Sequence, residues 1–116
     1  MEARAVRKYI SSSPRKMRRV VNAIRGRSVP EAMNVLHFLP QAATRPVSLA
    51  IRSAVHNLMD KNPDERFDEN NLFVKEIKVD EGPMLKRIRP APRGRAHPIR
   101  KRMSHLTVTI KAENED

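Results

Sequence analysis

A chain of 116 residues, 39% of them hydrophobic, is long enough for one domain with one modest core, and its formal net charge of +11 calls for a polyanionic partner: RNA, DNA or an anionic membrane surface. There is no cysteine, which excludes disulfides and thiolate metal sites and suits an intracellular protein; no signal-peptide pattern is present, and no apolar run is long enough to cross a bilayer. Residues 1–27 carry nine Lys/Arg and one acid, residues 28–81 six and nine, residues 82–112 nine and none, and the last four residues hold three acids, so a slightly acidic middle lies between two basic segments.

The first ten residues predict a strand in which Val6, Lys8 and Ile10 alternate imperfectly. A helix starts sharply after it. Ser13 suits the N-cap and Pro14 the first helical position; Met17, Val20, Val21 and Ile24 recur at helical spacing, and Gly26 suits the C-terminal stop. The opposite face of this helix carries Arg15, Lys16, Arg18, Arg19 and Arg25. A second helix follows from Ser28-Val29-Pro30-Glu31, with Ala32, Val35, Leu36 and Leu39 as its apolar face and Pro40 as its stop. A third is predicted from about residue 42 to 60, with Val47, Ala50, Ile51, Ala54, Val55 and Leu58 as its stripe and Pro46 in its first turn, where a missing N–H does no harm. Residues 60–71 are a polar loop around Asn62-Pro63-Asp64. A strand follows near residues 72–79, and a clearer one later, in which Leu106, Val108, Ile110 and Ala112 alternate with His105, Thr107, Thr109 and Lys111.

Between those two strands lie residues 81–105, EGPMLKRIRPAPRGRAHPIRKRMSH, far longer than a hairpin loop of about two to five residues. A turn centred on Arg93-Gly94 would set Ile77 opposite Ile110, Val79 opposite Val108 and Ile88 opposite Ile99, extending one long hairpin to roughly 35 Å. The same register would set Lys86 against Lys101 and Arg87 against Arg100, and like charges that face each other destabilise a ladder. Pro90, Pro92 and Pro98 remove ladder donors as well. Such an arm is expected to become ordered only when phosphates neutralise it.

A basic helix face is ordinarily solvated surface. Joined to an acid-free arm, the segment from Arg15 to Arg27 reads instead as a phosphate-binding surface that selects its partner by shape. Phe38 and Phe73 sit in apolar contexts and are expected in the core, which disfavours a single-strand binding platform. His97 and His105 flank the arm within reach of RNA, whereas His37 and His56 read as ordinary helix residues without metal spacing. Asp64, Glu65, Asp68 and Glu69 read as a solvated acidic loop, not a calcium loop. The three glycines are scattered, Ser11, Ser12 and Ser13 lie near a cap, and no acid–base pair looks catalytic, so neither an enzyme nor a metal or cofactor is expected.

Three stretches carry a resemblance: SPRKMRRVVNAIRGRSVPEA, SAVHNL and DEGPMLKRIRPAPRGRAHPIRKRMSHLTVTI. Across nearly the whole chain, from about Ala3 to Lys111, they resemble the bacterial family of large-subunit ribosomal protein twenty-two. The resemblance implies an α+β fold in a single domain, residues 1–116: three helices packed on a small three-stranded antiparallel sheet, with residues 82–104 as a long protruding β-hairpin arm. It also implies a structural constituent of the large ribosomal subunit in the cytoplasm that binds 23S rRNA, aids assembly and meets neighbouring ribosomal proteins. Its hairpin tip would line the exit tunnel and meet the nascent peptide.

Carried onto this sequence, Ser13, Arg15, Lys16, Arg25 and Arg27, together with Arg18 and Arg19 of the same basic helix, would form the rRNA face of the body. Lys86, Arg87, Arg93, Gly94 and Arg95 would lie at or near the tip, and Arg100, Lys101, Arg102 and His105 along the returning strand. The family commonly has P-R-A-[KR]-G-R-A at the tip; here it is Pro90-Ala91-Pro92-Arg93-Gly94-Arg95-Ala96, so Ala91 replaces a usual arginine, Pro92 adds stiffness and Arg89 supplies charge from a different point. Residues Arg89, Pro90, Ala91, Pro92 and Arg93 would face the tunnel. The alternatives are an architectural DNA binder with a basic β-arm, though nothing here demands a homo-oligomer, and a membrane-active amphipathic protein, which the arm's prolines oppose.

Overall fold

A computed structural model of the chain describes residues 2–40, 42–66, 68–90, 94 and 96–112, and for Glu69, residues 85–90 and residues 96–100 the backbone alone. In chain order the elements are strand β1 (Glu2–Ile10), helices α1 (Pro14–Ile24), α2 (Val29–Phe38) and α3 (Thr44–Lys61), a short 3-10 turn (Glu69–Asn71), and strands β2 (Leu72–Glu81), β3 (Leu85–Pro90), β4 (Ala96–Lys101) and β5 (Ser104–Ala112). Strands β1, β5 and β2 form an antiparallel sheet in that order, and β3 pairs with β4 in a separate two-stranded ladder. The architecture is α+β, as the sequence led us to expect.

The helices form where local chemistry dictates. Ser13 caps α1 by accepting the Lys16 N–H at 3.4 Å, Ser28 caps α2 by accepting the Glu31 N–H at 3.4 Å, and each is followed by proline in the first turn. Helix α3 starts without a side-chain cap, and Pro46 sits within its first turn. Gly26, at φ +78°, turns the chain out of α1 so that the Arg27 carbonyl accepts the Val74 N–H at 2.9 Å, tying the α1–α2 link to β2. A Cβ at position 26 would meet nothing within 4 Å, so only backbone strain opposes a side chain there. Gly26→Ala is therefore expected to lower stability by about 1 kcal/mol, read as a lower urea midpoint at unchanged slope.

One face of the sheet is covered and the other meets solvent. Helix α3 packs on β1 and β5, α1 packs on β2, and α2 packs on both other helices and on β2. Large fully buried side chains come from the predicted helix stripes and strands: Met17, Val20, Val21 and Ile24 of α1, Val47, Ile51 and Leu58 of α3, Leu72, Val74 and Ile77 of β2, and Leu106, Val108 and Ile110 of β5. At the sheet margin, Lys75 reaches the Glu2 carboxylate at 2.7 Å and holds it below the ordinary carboxylate range, mainly through that hydrogen bond. The direction means that what this exposed pair contributes is present above the ordinary carboxylate pKa and fades as pH falls through the lowered one.

Several expectations are corrected. In β1 the inward residues are Ala3 and Ala5, and Val6 is exposed; a register shift between Arg7 and Ile10 then turns Ile10 inward. One extra residue reverses the faces of a strand, so the Val6–Lys8–Ile10 alternation does not exist. Phe38 is 83% exposed and not core, because it lies about 180° around α2 from Val29, whose stripe continues through Ala32 and Leu36. Phe73 is half-buried, alternating out of phase with Leu72 and Val74. The predicted register also fails. Ile77 pairs with Val108, not Ile110, and Val79 with Leu106, not Val108. That slip of two residues preserves the apolar face.

Further out, Ile88 pairs with Pro98, not Ile99, Lys86 with Arg100, not Lys101, and Arg87 with Ile99, not Arg100. The arm is thus one residue off the expected register, and the arm root adds a second shift. Between the pairs Glu81–Ser104 and Leu85–Lys101, residues 82–84 stand opposite only residues 102–103, so one continuous hairpin becomes two ladders. Gly82 suits this crowded junction, since a Cβ there would lie 3.2 Å from the Met103 backbone, and its N–H donates to the Met103 carbonyl at 2.8 Å. The chain spans 69 × 26 × 16 Å, with a radius of gyration of 17.6 Å against about 13 Å for a compact chain of this length.

Candidate nucleic-acid interface

The arm root, the start of α1 and the α2–α3 connection enclose a cleft of about 780 Å³, lined by Ser11, Ser12, Ser13, Lys16, Arg19, Ala42, Ala43, Lys101, Arg102 and Met103. Its position follows from two hydrogen bonds at the β1–α1 turn. Ser104 is fully buried and its Oγ donates to the Ser12 carbonyl at 2.6 Å, clamping the start of β5 to the β1–α1 turn. The Ser12 N–H in turn donates to the Ile10 carbonyl at 2.8 Å.

Lys16, Arg19, Lys101 and Arg102 are all exposed, and no acid is among the described residues that line the cleft. Helix α1 has no acid in its first turn; Arg15 and Lys16 stand there instead, with their charge set against the helix dipole. Cations gathered at a helix N-terminus are poor for helix stability and good for holding an anion. Four of them around one concavity can neutralise neighbouring phosphates of a polynucleotide, and the cleft opens at the base of the arm.

Of the predicted body residues, Ser13, Lys16 and Arg19 come together in this cleft with Lys101 and Arg102 of the arm root. Arg15 is exposed on α1 outside it. Arg18 donates from Nη2 to the Val79 carbonyl at 3.0 Å, so part of its capacity ties α1 to β2. Arg25 donates to Asn22 Oδ1 at 3.5 Å, and Arg27 donates from Nε to the Ala23 carbonyl at 2.9 Å and stands 4.0 Å from Glu31. These two lie at the other end of α1, about 15 Å from Lys16.

Lys86, Arg87 and Arg89, with Pro90, are in β3; His97 and Arg100 are in β4. Gly94 is exposed at φ +70°. Ala91, Pro92, Arg93 and Arg95 lie outside the described residues. His105 is half-buried, and its Nδ1 accepts the Tyr9 N–H at 3.1 Å.

Two participants were not anticipated. Ser104 positions the arm root from a fully buried site, and only its polarity within an otherwise regular β5 hints at that. Tyr9 lies in the irregular stretch of β1 at φ 58°, rare for a residue with a side chain, and is 62% exposed. The signal available in sequence was the clash of phase between Ala3 and Ala5 on one hand and Ile10 on the other.

Known proteins resemble the chain throughout its length. The profile of the family described as ribosomal protein L22p/L17e matches residues 5–111. The large ribosomal subunit protein uL22 of Salinibacter ruber is 57% identical over 115 residues, covering 99% of this chain and 94% of that protein. The proteins of the same name from Chlorobaculum tepidum and Desulfitobacterium hafniense are 50% and 49% identical, with 99% and 98% of this chain and 98% and 97% of theirs covered. A profile match over nearly the whole length, together with relatives this similar, settles the family: the chain belongs to the ribosomal protein L22p/L17e family.

Proposed function

We propose that the protein is a structural constituent of the large ribosomal subunit in the cytoplasm, and that it holds 23S rRNA through the cationic cleft and the basic arm rooted beside it. The observation that carries this reading is the convergence of Lys16, Arg19, Lys101 and Arg102 on one cleft at the arm root. Phosphates entering the cleft release counterions, which supplies affinity without base recognition, and the placement of the arm beside the cleft supplies selection by shape.

In this reading residues 1–116 form one folding unit, with residues 82–104 as its arm. The arm continues the phosphate contacts through Lys86, Arg87, Arg89, Arg93, Arg95 and Arg100, and residues 89–93 face the exit tunnel and the nascent peptide. Arg15, Arg18, Arg25 and Arg27 extend the rRNA face of the body, and neighbouring ribosomal proteins meet what rRNA leaves uncovered. Neutralising phosphate needs no cofactor, metal or second copy of the chain, and we assign no catalytic activity. The architectural DNA reading loses ground because the relatives are named for the large ribosomal subunit.

Sedimentation tests the proposal. A tagged copy expressed in its own cells should travel with large subunits through a sucrose gradient at a salt concentration that strips loosely bound proteins. Recovery at the top of the gradient, or with nucleoid DNA, would overturn it.

A further inference from the structure

We propose that Tyr9, braced by His105, is a stacking platform for one unpaired nucleotide of the rRNA whose phosphates occupy the cationic cleft. The inference rests on the rRNA-binding reading above and adds to it a base-contacting element and a class of target, an unstacked nucleotide.

The geometry of Tyr9 is costly and specific. A non-glycine residue at φ 58° is strained, and such strain persists where the surroundings hold it. Here two contacts do so: the Tyr9 N–H donates to His105 Nδ1 at 3.1 Å, and the two rings meet edge to face, with centroids 5.0 Å apart and an interplanar angle of 89°. A T-shaped contact occupies at most one face of the tyrosine ring, and at 62% exposure a face remains open to solvent. The strand irregularity thus displays a large apolar ring when a regular strand would not.

Its place in the chain gives the ring a ligand class. Tyr9 lies two residues before Ser11, which lines the cleft, and His105 follows Ser104, whose Oγ is bonded to the Ser12 carbonyl. The segments that build the cleft therefore also present the ring. An exposed aromatic ring next to a groove of cations is the arrangement by which proteins hold splayed-out bases of RNA, the ring stacking on the base and the cations taking the adjoining phosphates. Stacking of this kind tolerates any base, so the platform selects an unpaired position and not a letter.

The chain contains a single tyrosine and no tryptophan, so its tyrosine emission reports Tyr9 alone. In a titration of the full chain with large-subunit rRNA fragments, emission should be quenched in step with binding measured independently by filter retention. Tyr9→Leu should weaken that binding roughly tenfold at unchanged salt dependence, while Tyr9→Phe keeps it. Tyr9→Gly suits the backbone at this position, so it should melt cooperatively and bind as weakly as Tyr9→Leu. Binding without quenching, or a Tyr9→Leu or Tyr9→Gly protein with parental affinity, overturns the platform and leaves the rRNA-binding reading intact. Failure of the parent chain to bind any large-subunit fragment overturns the reading beneath it.

Discussion

Deleting residues 86–95 is expected to leave a body that still unfolds cooperatively but binds large-subunit rRNA about a thousandfold more weakly at roughly 0.15 M salt. The segment carries Lys86, Arg87, Arg89, Arg93 and Arg95. If each neutralises one phosphate, the slope of log affinity against log salt should fall in magnitude by about 4, which filter retention over a salt series would read directly. Cooperativity should survive because the buried cluster is already continuous through the three helices and strands β1, β2 and β5.

The arm's own stability is a different matter. Strands β3 and β4 pack chiefly on each other, Lys86 is the register partner of Arg100, and Pro90 and Pro98 bring no N–H to the ladder. Their amides should exchange rapidly in the free protein and become protected in the complex. Equal protection in both states would remove the coupling between ordering and binding, and a non-cooperative melt of the deletion variant would contradict the division into body and arm.

The second large effect is expected at the cleft, where stability and binding should move in opposite directions. Lys16 occupies the third position of α1, three residues after the N-cap Ser13. Lys16→Glu would complete a capping box and place an acid near the positive end of the helix dipole, stabilising the fold by about 0.5–1 kcal/mol. The same change removes a phosphate contact and adds repulsion. Combined with Arg102→Glu across the cleft, it should weaken rRNA binding roughly a hundredfold or more. A paired measurement decides the matter: thermal melts should show the double variant at least as stable as the parent, and retention assays should show the loss. A variant that binds normally would move the interface away from the cleft. One that binds poorly because it melts early would make Lys16 a structural residue.

What the sequence revealed, and what it hid, divides along the range of the interactions involved. The caps at Ser13 and Ser28, the proline stops and the stripe from Val47 to Leu58 act within a few residues, and each helix lies within two or three residues of its expected place. The alternation in β5 was legible for the same reason. Register was not. It depends on unpaired residues near Tyr9, at Lys75 and at residues 82–84, where tertiary packing decides which residue leaves the ladder. Phe38 misled because hydrophobicity was counted without its angle around α2.

The binding residues show the same division. Basic character marked Lys16, Arg19, Lys101 and Arg102 one by one. Their convergence joins positions more than eighty residues apart, and only the fold, through the Ser104–Ser12 clamp, brings them to one cleft. Tyr9 has no role legible in the sequence, because a lone aromatic in an uneven strand carries no pattern; its backbone angle and its contact with His105 give it meaning.

The central claim is that cleft and arm both lie against 23S rRNA. The chain has no cysteine, so Lys16→Cys and Arg95→Cys each create one site for a short photo-crosslinker. With either variant assembled into intact large subunits, irradiation should attach the protein to 23S rRNA from both positions. Crosslinks to proteins alone, or to no component of the subunit, would contradict the account.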